Sequence, residues 1–187
     1  LAVGVSLGIS VQQGIKALKS YRAPAGRMRI FKGIKGTHII DSSYNASPDT
    51  VVSALSTLDS VSPRGSHIVV LGDRRGRGTM RKPAHQELAE KRATRSGTFI
   101  LYGDVMARYA FPYLKREKKK VYNPSTMTEL ISTLQSLLKP NTWILFKGSQ
   151  NTIFLERAVE SILADKDDAS LLPRRGTYWD KMRNLAR

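Results

Sequence analysis

The chain has 187 residues and carries 31 Lys and Arg against 15 Asp and Glu, a formal charge of +16. With 41% hydrophobic and 25% charged residues it has the composition of a globular domain with a flank, not of a disordered polyampholyte. The absence of cysteine excludes a disulfide framework, a thiolate metal site and a cysteine nucleophile.

The first residue is Leu1, so the chain is expected to have been cut or processed from a longer one. Residues 1–11 are apolar but interrupted by Gly4 and Gly8, lack a basic lead, and reach about half of the ~20 residues that a bilayer span requires. Neither a signal peptide nor a membrane anchor is expected. Ser10 followed by Gln13 forms a capping-box pattern that starts a helix over about residues 11–20. Pro24 and Gly26 then break it. Two short β-like runs, residues 28–31 and 37–41, are separated by Gly33 and Gly36 and read as a hairpin or as neighbouring strands.

Ser47, Pro48 and Asp49 supply an N-cap, a first-turn proline and a first-turn acid, and Val51, Leu55 and Leu58 follow at helical spacing. Apolar strands are then predicted at residues 68–71, 98–102, around Val121, and at 143–146. Helices are predicted over 84–93, 105–114, from Thr126 onward with Glu129 completing a capping box, and over 152–163. This alternation predicts an α/β fold with a mostly parallel sheet and flanking helices. Residues 165–187 shift to a basic composition and hold a possible short helix capped by Thr177, expected to pack back on the domain through Tyr178, Met182 and Leu185.

Ligands of open α/β sheets sit beyond the carboxyl ends of the strands. The turns there are residues 41–48, 72–78, 103–104 and 147–149; Gly72 and Gly148 would let a ligand approach the backbone, and Lys147 suits an anion. No Gly-Lys dipeptide occurs, so the chain has no Walker A loop, and the glycines of residues 72–78 lack dinucleotide-fingerprint spacing. His38, His67 and His85 stand without partners at metal-ligand spacing, so no protein metal site is expected. Ser149 lacks the GxSxG surroundings of a hydrolase nucleophile. The basic clusters, among them Arg174 and Arg175, read as solvated surface, although such a field would also attract a polyanion.

Taken together, Gly26-Arg27-Met28, the Asp41-Ser42-Ser43-Tyr44-Asn45-Ala46-Ser47-Pro48 loop, Leu71-Gly72-Asp73, His85 and Lys147-Gly148-Ser149 resemble the Mur ligases, and within them the branch that adds D-alanyl-D-alanine to UDP-N-acetylmuramoyl-tripeptide. The resemblance covers the chain to about Leu163 but only the C-terminal part of that family's three-domain enzymes. It implies terminal helices of an ATP-binding central domain at residues 1–23, a Rossmann-like C-terminal ligase domain at 24–164, and a basic tail at 165–187. It further implies ATP- and Mg2+-dependent amide-bond formation through an acyl phosphate in cytoplasmic peptidoglycan synthesis. Arg27, Asp41, Tyr44, Asn45 and Pro48 would face the nucleotide; Lys147, Ser149 and Asp73 would lie near the incoming dipeptide. The metal and the phosphate loop would belong to the absent central domain, leaving this portion inactive alone. A standalone basic module for nucleic acid or nucleotide, and a related ligase such as another Mur enzyme or a folylpolyglutamate synthase, are the alternatives.

Overall fold

The computed structural model describes residues 1–62, 67–73, 97–148 and 153–185. The helix expected over 84–93, with His85, lies outside the described residues. Among the described residues six strands form one sheet in the order β1-β2-β6-β3-β4-β5: β1 Arg29–Gly33, β2 Thr37–Ser42, β3 His67–Gly72, β4 Thr98–Tyr102, β5 Lys120–Tyr122 and β6 Trp143–Lys147. Only β1 is antiparallel, to β2; the pairs β2·β6, β6·β3, β3·β4 and β4·β5 are parallel. The two expected N-terminal runs are therefore a hairpin, turned by a 3-10 segment in which Lys35 and Gly36 take positive φ (56° and 69°).

The sheet separates two apolar layers, and alternation along each strand assigns its side chains to them. Ile39, Val70, Ile100, Ile144 and Phe146 join α5 (Met127–Leu137) and α6 (Glu156–Ser161) on one side. Ile40, Val69, Phe99, Leu101 and Leu145 join α3 (Pro48–Val61) and α4 (Phe111–Arg116) on the other. Burial on both faces explains why the central strands read as unbroken apolar runs instead of alternating ones.

The helix starts follow from local chemistry. α3 begins on a capping box in which Ser47 and Thr50 bond reciprocally. Thr126 accepts from the Glu129 amide as expected, but the Glu129 carboxylate turns to the amide and hydroxyl of Ser125, each at 2.8 Å, instead of to the cap backbone. Those bonds hold its carboxyl below the ordinary range. The helix expected over 105–114 opens as a π turn, Met106–Ala110, before α4. Pro112 explains this, because it has no N–H for a regular helical bond and its ring crowds the preceding turn. α6 is shorter than expected since Phe154, at φ 45°, is not helical.

Ahead of the sheet lie α1 (Ala2–Ser6) and α2 (Val11–Leu18), the latter starting on the expected Ser10–Gln13 box. Leu1, Val3, Val5, Leu7, Ile9, Val11, Ile15 and Leu18 are all exposed. At the other end, α7 (Thr177–Leu185) leaves Tyr178 and Leu185 exposed at 64% and 80%, which corrects the expectation that this face packs back. The contact is made earlier, through buried Leu172, Pro173 and Arg174.

Leu58 is fully buried in the α3 layer, so Leu58→Ala is expected to cost about 2–5 kcal/mol. Loss of the cap in Ser47→Ala should cost only about 1 kcal/mol. Urea denaturation of both variants checks the ranking.

Candidate functional site

The parallel register sets Ser42 of β2 opposite Lys147 of β6, so the loop leaving β2 and the end of β6 meet at the carboxyl end of the sheet. A cleft of about 230 Å³ opens there, lined by Gly26, Arg27, Met28, Ser42, Asn45 and Lys147, and by Thr50, Ser53, Ala54 and Thr57 of α3. Three residues singled out in the sequence, Arg27, Asn45 and Lys147, are thus brought together. The hydroxyl wall of Thr50, Ser53 and Thr57 is not singled out by the sequence reading, although its signal is present: the three residues follow i, i+3, i+7 spacing on the helix face flanking buried Val51, Ala54, Leu55 and Leu58.

The loop is built from the inside. Asp41 is fully buried and its Oδ1 accepts from the Ser43 amide at 3.0 Å, so it shapes the turn from beneath instead of facing the cleft. Burial raises its pKa above the usual carboxylate range; hydrogen bonds from Ser43 pull the other way, and of the facing charges Glu156 raises it while Arg174 lowers it. Lys147 is 2% exposed, and its ammonium donates to the backbone carbonyls of Ser42 and Asn45. It therefore ties β6 to the loop at the floor of the cleft. Asn45 is exposed; its side-chain oxygen accepts from the Ala46 amide at 2.8 Å, while its NH2 has no partner among the described residues.

Tyr44 lies beneath the Arg27 guanidinium, 4.8 Å from its ring centroid, a cation–π contact that holds the arginine at the cleft wall. Gly26 is required here, because a Cβ would come within 2.8 Å of the Tyr44 Cβ and 3.0 Å of the Pro173 ring, and its φ is 67°. Pro48 starts α3. Ser149 lies outside the described residues.

Asp73 faces another task. Its two carboxylate oxygens accept from the amides of Val105 and Met106 at 3.0 and 2.7 Å, capping the helical turn after β4, where a negative charge is favoured. The glycines also differ from expectation. A Cβ on Gly72 would lie 2.7 Å from Ile153, and one on Gly148 2.8 Å from Leu155; the close approach is made by the chain's own side chains, not left open for a ligand.

Arg174 corrects the reading of a solvated basic tail. It is 5% exposed and forms a two-pronged ion pair with fully buried Glu156 at 2.8 and 2.6 Å. Among the described residues no cluster of His, Asp or Glu is arranged to hold a metal ion, and no helix is long and apolar enough to cross a membrane.

A mostly parallel sheet thus carries a loop shaped by Asp41, with a buried lysine beside it and a glycine–arginine turn over it. Residues 26–150 match the family described as Mur ligase, glutamate ligase domain, and the chain belongs to it. Among its relatives is the UDP-N-acetylmuramoyl-tripeptide–D-alanyl-D-alanine ligase of Bacillus subtilis (strain 168), 26% identical over 167 residues, which cover 87% of this chain and 36% of that protein. Similar solved structures are MurF of Acinetobacter baumannii, with TM-score 0.67 and 24% identity over 83% of this chain and 34% of that one, and MurF of Thermotoga maritima in complex with ADP. The latter has TM-score 0.64 and 22% identity over 100% of this chain and 37% of that one. The chain spans about a third of the length of each.

The raised pKa of Asp41 has a sign that can be tested. A carboxyl that is harder to ionise when folded contributes most below its ordinary value of 3.8, and that contribution is lost as pH rises through the folded value. The melting temperature of Asp41→Asn relative to the parent should therefore climb as pH rises above that ordinary value; a difference in thermal melts that stays flat with pH would remove the assignment.

Proposed function

We propose that the chain is the C-terminal portion of an ATP-dependent ligase that joins D-alanyl-D-alanine to UDP-N-acetylmuramoyl-tripeptide in cytoplasmic peptidoglycan synthesis. The observation that carries this reading is the cleft in which Arg27, Asn45 and Lys147 meet, within a domain of the Mur ligase family. In this reading residues 1–23 belong to the ATP-binding portion, residues 24–164 are the ligase domain, and 165–187 form the basic segment that follows it. The exposed apolar residues of α1 and α2 support the first assignment, since a surface of this kind marks a protein contact.

The residues present fit a nucleotide's base and sugar. Arg27 offers a planar fork already oriented by Tyr44. The Asn45 NH2 is a donor with no partner among the described residues, and Thr50, Ser53 and Thr57 add hydroxyls that both donate and accept. ATP, when bound, supplies the phosphoryl group that activates a substrate carboxylate. The part of this chain is to hold and orient that nucleotide: Asp41 and Lys147 keep the loop in shape, and Arg27 and Asn45 contact the ligand. The phosphate-binding loop, and with it magnesium, is assigned to the central portion, since this sequence has no Gly-Lys dipeptide from which to build such a loop; without that portion this chain is inactive. The resemblance assigns Lys147, Ser149 and Asp73 to the dipeptide. The bonds already made by Lys147 and Asp73 favour indirect roles for both, and Ser149 stays as the proposed contact.

In the ligase carrying this domain, Asn45→Ala should raise the ATP concentration at half-maximal rate by about three- to tenfold, the worth of one hydrogen bond. An unchanged value in steady-state kinetics would remove Asn45 from the nucleotide contacts. Replacing the UDP-muramoyl substrate with a folate should abolish turnover; activity on folate would instead favour the folylpolyglutamate alternative.

A further inference from the structure

The C-terminal segment reaches the nucleotide-facing loop through one side chain. Arg174 lies 18 residues beyond Glu156 in sequence, yet its Nε and Nη2 meet the two Glu156 oxygens. The same Nη2 donates to the backbone carbonyl of Ser43 at 3.1 Å. The guanidinium stands 5.9 Å from the Tyr44 ring centroid and 5.7 Å from that of Phe154, and Tyr44 in turn carries Arg27. Pro173, the preceding residue, packs against Gly26.

A series of contacts therefore runs from Glu156 through Arg174 and Tyr44 to Arg27 at the cleft. We propose that Arg174 is a positioning residue for nucleotide binding: by gripping the Ser43 carbonyl and supporting the Tyr44 ring, it fixes the loop and with it the orientation of the Arg27 guanidinium. This rests on the reading of the Arg27–Asn45 cleft as the nucleotide site.

Three observations favour positioning over a purely stabilising role. A buried ion pair offers little net stability compared with an apolar pair of similar volume, since desolvation offsets the attraction. Arg174 takes φ 57°, a left-handed backbone that is costly for a residue with a Cβ and is held only where its surroundings impose it. Finally, only a planar fork can serve two carboxylate oxygens and a carbonyl while lying near an aromatic face. A lysine at this position keeps the charge but loses the fork.

The test uses two variants. Arg174→Lys retains a cation opposite Glu156, and the double substitution Arg174→Met with Glu156→Met removes both charges together, so neither leaves an unpaired buried carboxylate. In the 187-residue chain with ring-labelled tyrosine, the Tyr44 signals, assigned through Tyr44→Phe, should move in both variants. In the ligase carrying this domain, both variants should raise the ATP KM about tenfold, with the KM for the dipeptide unchanged and the double variant melting near the parent. Unmoved Tyr44 signals, or a parental ATP KM in either folded variant while Arg27→Ala raises it, would overturn the positioning role. If Arg27→Ala and Asn45→Ala also leave the ATP KM unchanged, the nucleotide reading of the cleft is itself at fault, and the role of Arg174 falls with it.

Discussion

The sheet depends on the insertion of β6 between β2 and β3. β6 is the last of the described strands, and its register partners on β3 and β2 lie 76 and 105 residues earlier. Until residues 143–147 arrive, β2 and β3 have no common neighbour, and neither apolar layer is complete. Ile144 and Phe146 close one layer and Leu145 closes the other, all fully buried. The same register that completes the core carries Lys147 to the end of β2, so forming the site and closing the fold are one event. Long-range parallel pairing of this kind gains its contacts only after a large loop has been closed.

Around that junction the chain uses charge in the interior to define a loop. Asp41 receives the Ser43 amide, Lys147 donates to the carbonyls of Ser42 and Asn45, and Arg174 donates to the carbonyl of Ser43. Backbone groups of a loop buried without a ladder partner must find other partners, and here three ionisable side chains supply them. Each is positioned by a different element: β2, β6, and the segment beyond α6. The loop is thereby specified from three directions, which suits a surface that must present Arg27 and Asn45 in one geometry.

Much of this was legible beforehand. Every described strand and the α/β class followed from apolar runs punctuated by glycine and proline, and the Ser10 and Ser47 caps followed from spacing alone. Local rules succeed at such places because the partners lie within four residues. They were less reliable where a second requirement competed. Pro112 converted a regular helix to a π turn, Phe154 shortened α6, and Glu129 chose Ser125 over the cap. The glycines at 72 and 148 looked like openings for a ligand, because nothing in the sequence places Leu155 and Ile153 above them.

The sequence by itself determined the strands, the main helix starts, the family, and the loop of residues 41–48 as the centre of interest, since these depend on residue type and short spacing. The tertiary structure decided which polar groups face the cleft and which are consumed in building it. Asp41 and Asp73 look alike in sequence to ligand-binding carboxylates, but one is buried beneath a turn and the other caps a helix. Arg174, one of 31 basic residues, became distinctive only because the chain returns over Gly26 and aligns it with Glu156. Burial and partner choice across more than a hundred residues are properties of the packed chain, and no periodicity records them.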